Sequence, residues 1–270
     1  MRHEFRENDR VSLALGADGV AQVRLTRDEK LNALDDAMIE ALLDVGMTLF
    51  DMPGLRAVVL AGEGRAFCAG LDLAAMAAPD ALGAAPLAER THGNANRFQQ
   101  VALQWRKLPV PAIAAIHGVC FGGGLQIAAG ADIRVVAPDA RLSIMELKWG
   151  LVPDMGGCAV WKNQVREDVL RLLTYTNREF SGEEALGHGL ATLADPNPVA
   201  RATAIATDIA ARSPTAIRAA KSLFNRSADL SFDEILMAES IEQQRLIGTR
   251  NQIEAVASQM EGRAAGFVDP

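Results

Sequence analysis

The stretch Ala112-Ile113-Ala114-Ala115-Ile116-His117-Gly118-Val119-Cys120-Phe121-Gly122-Gly123-Gly124-Leu125-Gln126 changes character twice in fifteen residues. Its first five residues are apolar without interruption, the pattern of a strand buried on both faces of a sheet. The three consecutive glycines then lead into Leu125–Gly130, so the spacing predicts a helix over 122–130, and Ile133–Val136 predicts another strand. Strand, helix and strand in that order define an α/β core with right-handed crossovers.

The same alternation extends toward the N-terminus. Val11–Leu15 and Val20–Leu25 flank Gly16-Ala17-Asp18-Gly19 and read as a β-hairpin. Asp35 stands where a helix to about Phe50 needs a cap, and Pro53-Gly54 ends that helix. Ala57–Leu60 is a second wholly apolar strand, followed by a loop over Ala61–Leu71 and a helical segment that Asp72 can cap. Ala77–Pro86 is rich in Ala, Pro and Gly and reads as a mobile loop; Glu89–Leu108 reads as a helix stopped by Pro109. Beyond about Val199 the pattern is helical only. Ala200–Ala211, Pro214–Asn225, Phe232–Ile247 and Gln252–Arg263 are the predicted helices, with Ser213, Ser231 and Asn251 as caps. This divides the 270 residues into a core over 1–198 and a helical region over 199–270.

Charge and composition exclude several classes. With 27 Lys+Arg against 34 Asp+Glu the net charge is −7, which argues against a nucleic-acid binder with a basic stripe. A small polyanion held by a few local cations remains compatible. Cys68, Cys120 and Cys158 form no CxxC pair and lie near no histidine at zinc spacing, so neither a disulfide framework nor a metal site is expected. Met1–Arg10 is charged throughout, unlike a signal peptide, and no apolar run approaches the length of a membrane span. A cytoplasmic setting is the expectation.

Three glycine-containing loops invite a chemical reading. Gly62-Glu63-Gly64 follows a buried strand, but Phe67 occupies the place of the third glycine in a dinucleotide fingerprint. The other two are Arg65-Ala66-Phe67-Cys68-Ala69-Gly70-Leu71-Asp72-Leu73 and His117–Gln126. Both run from apolar strands into helices, where backbone N–H groups are left without partners and two loops can converge on one oxygen. Tight strand-to-helix packing accounts for glycine at such places equally well.

The order and spacing of Lys30-Leu31-Asn32-Ala33-Leu34, Arg65–Leu73, Gly122-Gly123-Gly124 and Gly150-Leu151-Val152-Pro153 resemble the crotonase (enoyl-CoA hydratase/isomerase) superfamily over nearly the whole chain. Phe180-Ser181-Gly182-Glu183-Glu184-Ala185 and Glu261-Gly262-Arg263 with Phe267 extend the likeness to the C-terminal region. The resemblance implies an α/β fold, a crotonase-like ββα superhelix with C-terminal helices that assemble trimers, often paired into hexamers. It implies an acyl-CoA thioester substrate and no cofactor beyond the coenzyme A that the substrate carries. By position the oxyanion hole would be the backbone N–H groups of Leu71 and Gly123, and Lys30, Arg65, Ala66, Ala69, Arg263 and Phe267 would lie along the coenzyme A. Arg263 and Phe267 could come from an adjacent subunit, and Lys30 and Arg263 could equally be solvated surface charges. The acyl-pocket wall would draw on Leu73–Ala88 and the helix after it, with Trp149 as a candidate lining residue.

At the acid/base positions the chain departs from the family pattern. Family hydratases carry two glutamates; here the first place is Gln126 and the second is Glu146. An amide can orient a water or a carbonyl but does not exchange protons near neutral pH. A single glutamate can move a double bond by taking a proton from one carbon and returning it to another. Asp154, eight residues beyond Glu146, matches an aspartate of the dienoyl-CoA isomerases, a branch that also has an aspartate where this chain has Gln126. Asp154 can also be read as the cap of a following helix. The expectation is therefore an enoyl-CoA isomerase with Glu146 and Asp154 as catalytic residues. Hydration and a non-catalytic acyl-CoA-binding subunit stand as the alternatives.

Overall fold

The computed structural model describes residues 4–6, 8–76 and 86–270. In chain order its elements are β1 (Val11–Leu15), β2 (Val20–Leu25), α1 (Asp36–Phe50), β3 (Ala57–Gly62), β4 (Ala66–Cys68), α2 (Leu73–Met76), α3 (Arg97–Lys107), β5 (Ala112–Ile116), β6 (Val119–Phe121), α4 (Gly123–Ala129), β7 (Ile133–Val136) and β8 (Arg141–Ser143). Then follow α5 (Gly157–Trp161), α6 (Glu167–Thr176), β9 (Phe180–Ser181), α7 (Gly182–His188), β10 (Leu193–Ala194), α8 (Pro198–Ala210), α9 (Pro214–Ser227), α10 (Phe232–Leu246) and α11 (Arg250–Glu261).

Among the described residues the strands form two sheets, ordered β1-β2-β3-β5-β7-β10 and β4-β6-β8-β9. The odd members β3, β5 and β7 lie parallel in the first sheet; their short successors β4, β6 and β8 lie parallel in the second. Each of these three strands of the first sheet thus passes at its carboxyl end into a strand of the second. After β4 and β6 the chain turns into a helix, and after β8 into a 3-10 turn over Glu146–Trp149. This is the expected ββα superhelix. Equivalent points of successive turns, the residues just past β4, β6 and β8, are stacked side by side.

The apolar strands are buried on both faces, as their sequence requires. In β3, Val58 and Leu60 face the core shared with α1 and α3, while Ala57, Val59 and Ala61 face a second core. Ala202, Ala206 and Ala210 of α8 seal that second side. Alanine at four-residue spacing gives α8 a smooth face that lies close on the sheet. The first of the C-terminal helices is therefore packed into the core itself.

Several local readings need correction. The helix expected over Glu89–Leu108 starts only at Arg97, because Asn96 and Gln99 form a reciprocal capping box that defines the start. The loop read over Ala61–Leu71 contains β4, and β6 and β8 were likewise unread, since three residues are too few to show a period. Thr249, not Asn251, caps α11; Asn251 is buried inside the helix and holds the backbone of Val268 from both sides. The loop expected over Ala77–Pro86 falls almost wholly outside the described residues. No helix among the described residues is long and apolar enough to cross a membrane.

Candidate active site

The stacking of turns brings the two glycine loops together. Cys68 of β4 is in register with Cys120 of β6, so the residues that follow each strand emerge side by side. Gly70 has φ +85°, and a Cβ there would sit 2.8 Å from the carbonyl oxygen of Phe121 and 3.5 Å from the amide nitrogen of Gly123. Only glycine permits this approach. Leu34 N–H donates to Gly70 O at 2.8 Å, and Asp72 N–H donates to Leu34 O at 3.0 Å. In such a parallel bridge the intervening Leu71 N–H faces away from Leu34. Gly123 is the first residue of α4, where the N–H has no partner within the helix. These two N–H groups stand on adjacent loops, each turned away from the partners its own segment supplies.

Other residues hold this frame. Arg27 pairs with Asp72 at 2.8 Å and, through the same nitrogen, lies 3.3 Å from Asp35, tying the residue after Leu71 to the cap of α1. Asn32, fully buried, donates to Glu63 O at 3.0 Å and Ala66 O at 2.9 Å and so braces the turn that carries Arg65. Sequence reading missed the role of Arg27; Asp72 signalled only a cap. His117 meets Gly64 O at 3.1 Å, a structural contact. Cys68 and Cys120 are fully buried, and burial pushes the Cys68 thiol up to about 12, so both act as packing groups.

Glu146 opens the 3-10 turn after β8 and is only 9% exposed. Its Oε1 accepts from Gln126 Nε2 at 2.6 Å, while its Oε2 is buried with no hydrogen-bond partner among the described residues. Gly122 at φ +49° lets the second glycine loop approach: a Cβ there would lie 3.4 Å from Glu146 Oε1. Burial raises the Glu146 pKa above the ordinary glutamate value, and the nearby Asp154 charge adds to the rise.

Gln126, on α4 and 1% exposed, accepts at Oε1 from Met155 N–H at 2.9 Å and Gly157 N–H at 3.0 Å. Its carbonyl is thus engaged by two backbone donors and is not the free group that could orient a water or a carbonyl. Asp154 lies just before this clamped segment, with its pKa raised by burial. It caps no helix: α5 begins at Gly157, its N-cap is Gly156 at φ +90°, and no side chain caps it. Cys158 of α5 has its thiol pushed up by partial burial and, to a lesser degree, by the Glu146 charge.

The expected coenzyme A residues are only partly gathered. Lys30 and Arg65 are exposed on neighbouring loops and Ala69 is half-buried beside them, its N–H donating to Leu31 O at 2.9 Å. Ala66 is sealed within β4. Arg263 is neutralised by Glu254 and Glu261, with nitrogen–oxygen distances of 2.5 and 2.6 Å, so a phosphate would compete with two carboxylates. The carbonyl of Phe267 accepts from Arg56 at the amino end of β3, the end opposite the glycine loops. Within one chain, Phe267 is therefore not part of this site. Trp149 ends the 3-10 turn 44% exposed, with Lys148 Nζ 5.4 Å from its ring centroid. Most of the expected pocket wall over Leu73–Ala88 lies outside the described residues.

An α/β superhelix with two backbone donors beside a buried carboxylate is a scaffold for stabilising an oxyanion while a proton moves. The family model of enoyl-CoA hydratases/isomerases matches residues 16–270. The chain is 32% identical over 252 residues to the mitochondrial Delta(3,5)-Delta(2,4)-dienoyl-CoA isomerase of Mus musculus, covering 90% of this chain and 77% of that one. It is 30% identical over 236 residues to a hydroxycinnamoyl-CoA hydratase-lyase of Pseudomonas fluorescens, covering 86% and 85%. The crystal structure of an enoyl-CoA hydratase from Bacillus anthracis superposes with a TM-score of 0.85 at 26% identity, covering 96% of this chain and 98% of that one. The chain belongs to the enoyl-CoA hydratase/isomerase family, within the crotonase superfamily.

Proposed function

We propose that the protein moves double bonds in an unsaturated acyl-CoA, with a 3,5-dienoyl thioester as the preferred substrate class. The observation that carries this reading is the identity of the second acid. Residue 126 is an amide whose oxygen accepts from two backbone N–H groups and whose nitrogen donates to Glu146, whereas Asp154 is a half-buried carboxyl that caps no helix and whose charge is felt at Glu146. The likeness to dienoyl-CoA isomerases supports it.

Glu146 takes a proton from C2, next to the thioester carbonyl. The electron pair delocalises through the carbonyl and the conjugated chain, and the Leu71 and Gly123 N–H groups hold the resulting oxyanion. One such donor is worth about 3–4 kcal/mol in a transition state. Returning a proton to C6, from Asp154, yields the 2,4-dienoyl thioester. Returning it to C4 of a 3-enoyl thioester, from Glu146 alone, yields the 2-enoyl product. No cofactor is called on beyond the coenzyme A of the substrate, which Lys30, Arg65 and Ala69 would meet. Arg263 and Phe267 could serve only the site of a neighbouring copy. The exposed Phe224, Phe232, Met237, Ile253 and Met260 on α9–α11 supply an apolar surface for trimer or hexamer assembly.

The test is to incubate the protein with 3,5-dienoyl-, 3-enoyl- and 2-enoyl-CoA and follow conjugation by ultraviolet absorbance. Conjugation of the first two is expected. Efficient hydration of the 2-enoyl substrate without bond migration would overturn the reading in favour of a hydratase. Binding of all three without turnover would overturn it in favour of a binding subunit.

A further inference from the structure

The contacts of Gln126 define its orientation without ambiguity. Backbone N–H groups only donate, so the oxygen of the amide faces Met155 and Gly157, and its nitrogen must face Glu146. One side chain therefore ties α4, the Glu146 turn and the backbone beside Asp154 into a single unit. On Glu146 the two oxygens are made unequal. Oε1 accepts a charge-assisted hydrogen bond at 2.6 Å, while Oε2 is buried with no hydrogen-bond partner among the described residues. When the carboxyl is protonated, the oxygen that keeps accepting from an amide is the carbonyl-type one, so the hydroxyl forms at Oε2.

We propose that Gln126 is a positioning residue that reserves Oε2 of Glu146 as the proton-carrying atom and, through Met155 and Gly157, holds the Asp154 segment in a fixed relation to it. The assignment of the proton transfer rests on the isomerase reading above; the Gln126–Glu146 coupling does not. An acid at position 126 would defeat the arrangement. A carboxylate can still accept from the two backbone N–H groups, but it cannot donate to Oε1, and it would share a proton with Glu146 across 2.6 Å.

Glu146 has few other titratable neighbours among the described residues. Asp154 and Cys158 interact with it electrostatically. α4 has no ionisable side chain, and on the packed α6 the charged residues Glu167 and Arg171 pair with each other at the surface, as Asp168 does with Arg166.

The experiment compares the parent with Gln126→Glu and Gln126→Leu. The Glu146 carboxyl is titrated by carbon-13 NMR in glutamate-labelled protein, with Glu146→Gln assigning the signal, and kcat and KM for dienoyl-CoA are measured across pH. Gln126→Glu is expected to raise the Glu146 titration by about one pH unit or more, through its like charge. The acid limb of kcat/KM should rise with it while KM changes little. Gln126→Leu, which releases Glu146, Met155 and Gly157 together, is expected to lower kcat by about 100-fold with a smaller effect on KM. An unmoved Glu146 titration in Gln126→Glu overturns the coupling, and it does so whether or not Gln126→Leu folds. A moved titration with an unmoved acid limb overturns the assignment of Oε2. If the parent conjugates no substrate, the isomerase reading fails, and the Gln126 claim is then decided by the titration alone.

Discussion

At the scale of single residues, burying Glu146 costs stability wherever its carboxyl is ionised. Its folded pKa lies above the ordinary glutamate value, so between those two values the folded state binds more protons than the unfolded chain. Stability is therefore lost as pH rises through that window. Glu146→Gln keeps an acceptor for Gln126 and removes the buried charge. Its melting temperature should exceed the parent's at pH 8 and approach it at pH 4, by differential scanning calorimetry, while kcat falls by about 10²–10⁴-fold. The parent's kcat/KM should rise with pH along an acid limb placed above the usual glutamate range, because the base must be ionised. Asp154→Asn should lower kcat by about 10²-fold with no loss of melting temperature, because Asp154 caps no helix. A destabilised Asp154→Asn with full rate would return the residue to a structural role. Glu146 and Asp154 were legible as candidates because their residue types and spacing survive in the sequence. The engagement of Gln126 was not, since its three partners come from segments 20 to 31 positions away.

At the scale of elements, two features carry the site. The glycine loops touch through Gly70, where a side chain would meet the backbone carbonyl of Phe121 at 2.8 Å and a positive φ adds strain. Gly70→Ala should cost about 1–3 kcal/mol in urea unfolding and lower kcat by about 10²-fold as the donors spread apart. The second feature is the docking of α9. Lys221, 6% exposed, donates from Nζ to Trp105 O, Val110 O and Asp132 Oδ2, all between 2.7 and 2.8 Å. Asp132 in turn accepts from Ala112 N–H at the start of β5. Lys221→Met would leave the buried carbonyls of Trp105 and Val110 without their donor and should destabilise the protein by about 1–3 kcal/mol in the same assay. Elements with long periods or clear caps, such as α1 behind Asp35 and α10 behind Ser231, were readable from sequence. The three-residue strands of the second sheet were not, because they exist through pairing with one another.

At the scale of the whole molecule, the four C-terminal helices divide their work. α8 completes the core, whereas α10 presents Phe232, Leu236, Met237 and Ile241 to solvent and α11 presents Ile253, Val256 and Met260. Scattered apolar exposure is ordinary, but runs of this size on two helices are what the assembly proposed above would cover. Phe232→Glu combined with Met237→Glu should convert an oligomeric parent into smaller species by size-exclusion chromatography with light scattering. A monomeric parent would refute the assembly reading.

The sequence by itself determined the alternation of buried strands and helices, the caps and turns, the overall acidity, and the positions where a carboxylate or an amide stands, because those follow from local pattern and residue type. Tertiary structure alone decided which atoms meet. It set the two loops against each other through Gly70, enclosed Glu146 so that its acidity weakens, and turned Gln126 inward to hold Glu146 and the segment beside Asp154. It also separated Phe267 from the site within one chain. These outcomes depend on how successive ββα turns stack, which brings together groups that are distant in the chain and that local pattern leaves unrelated.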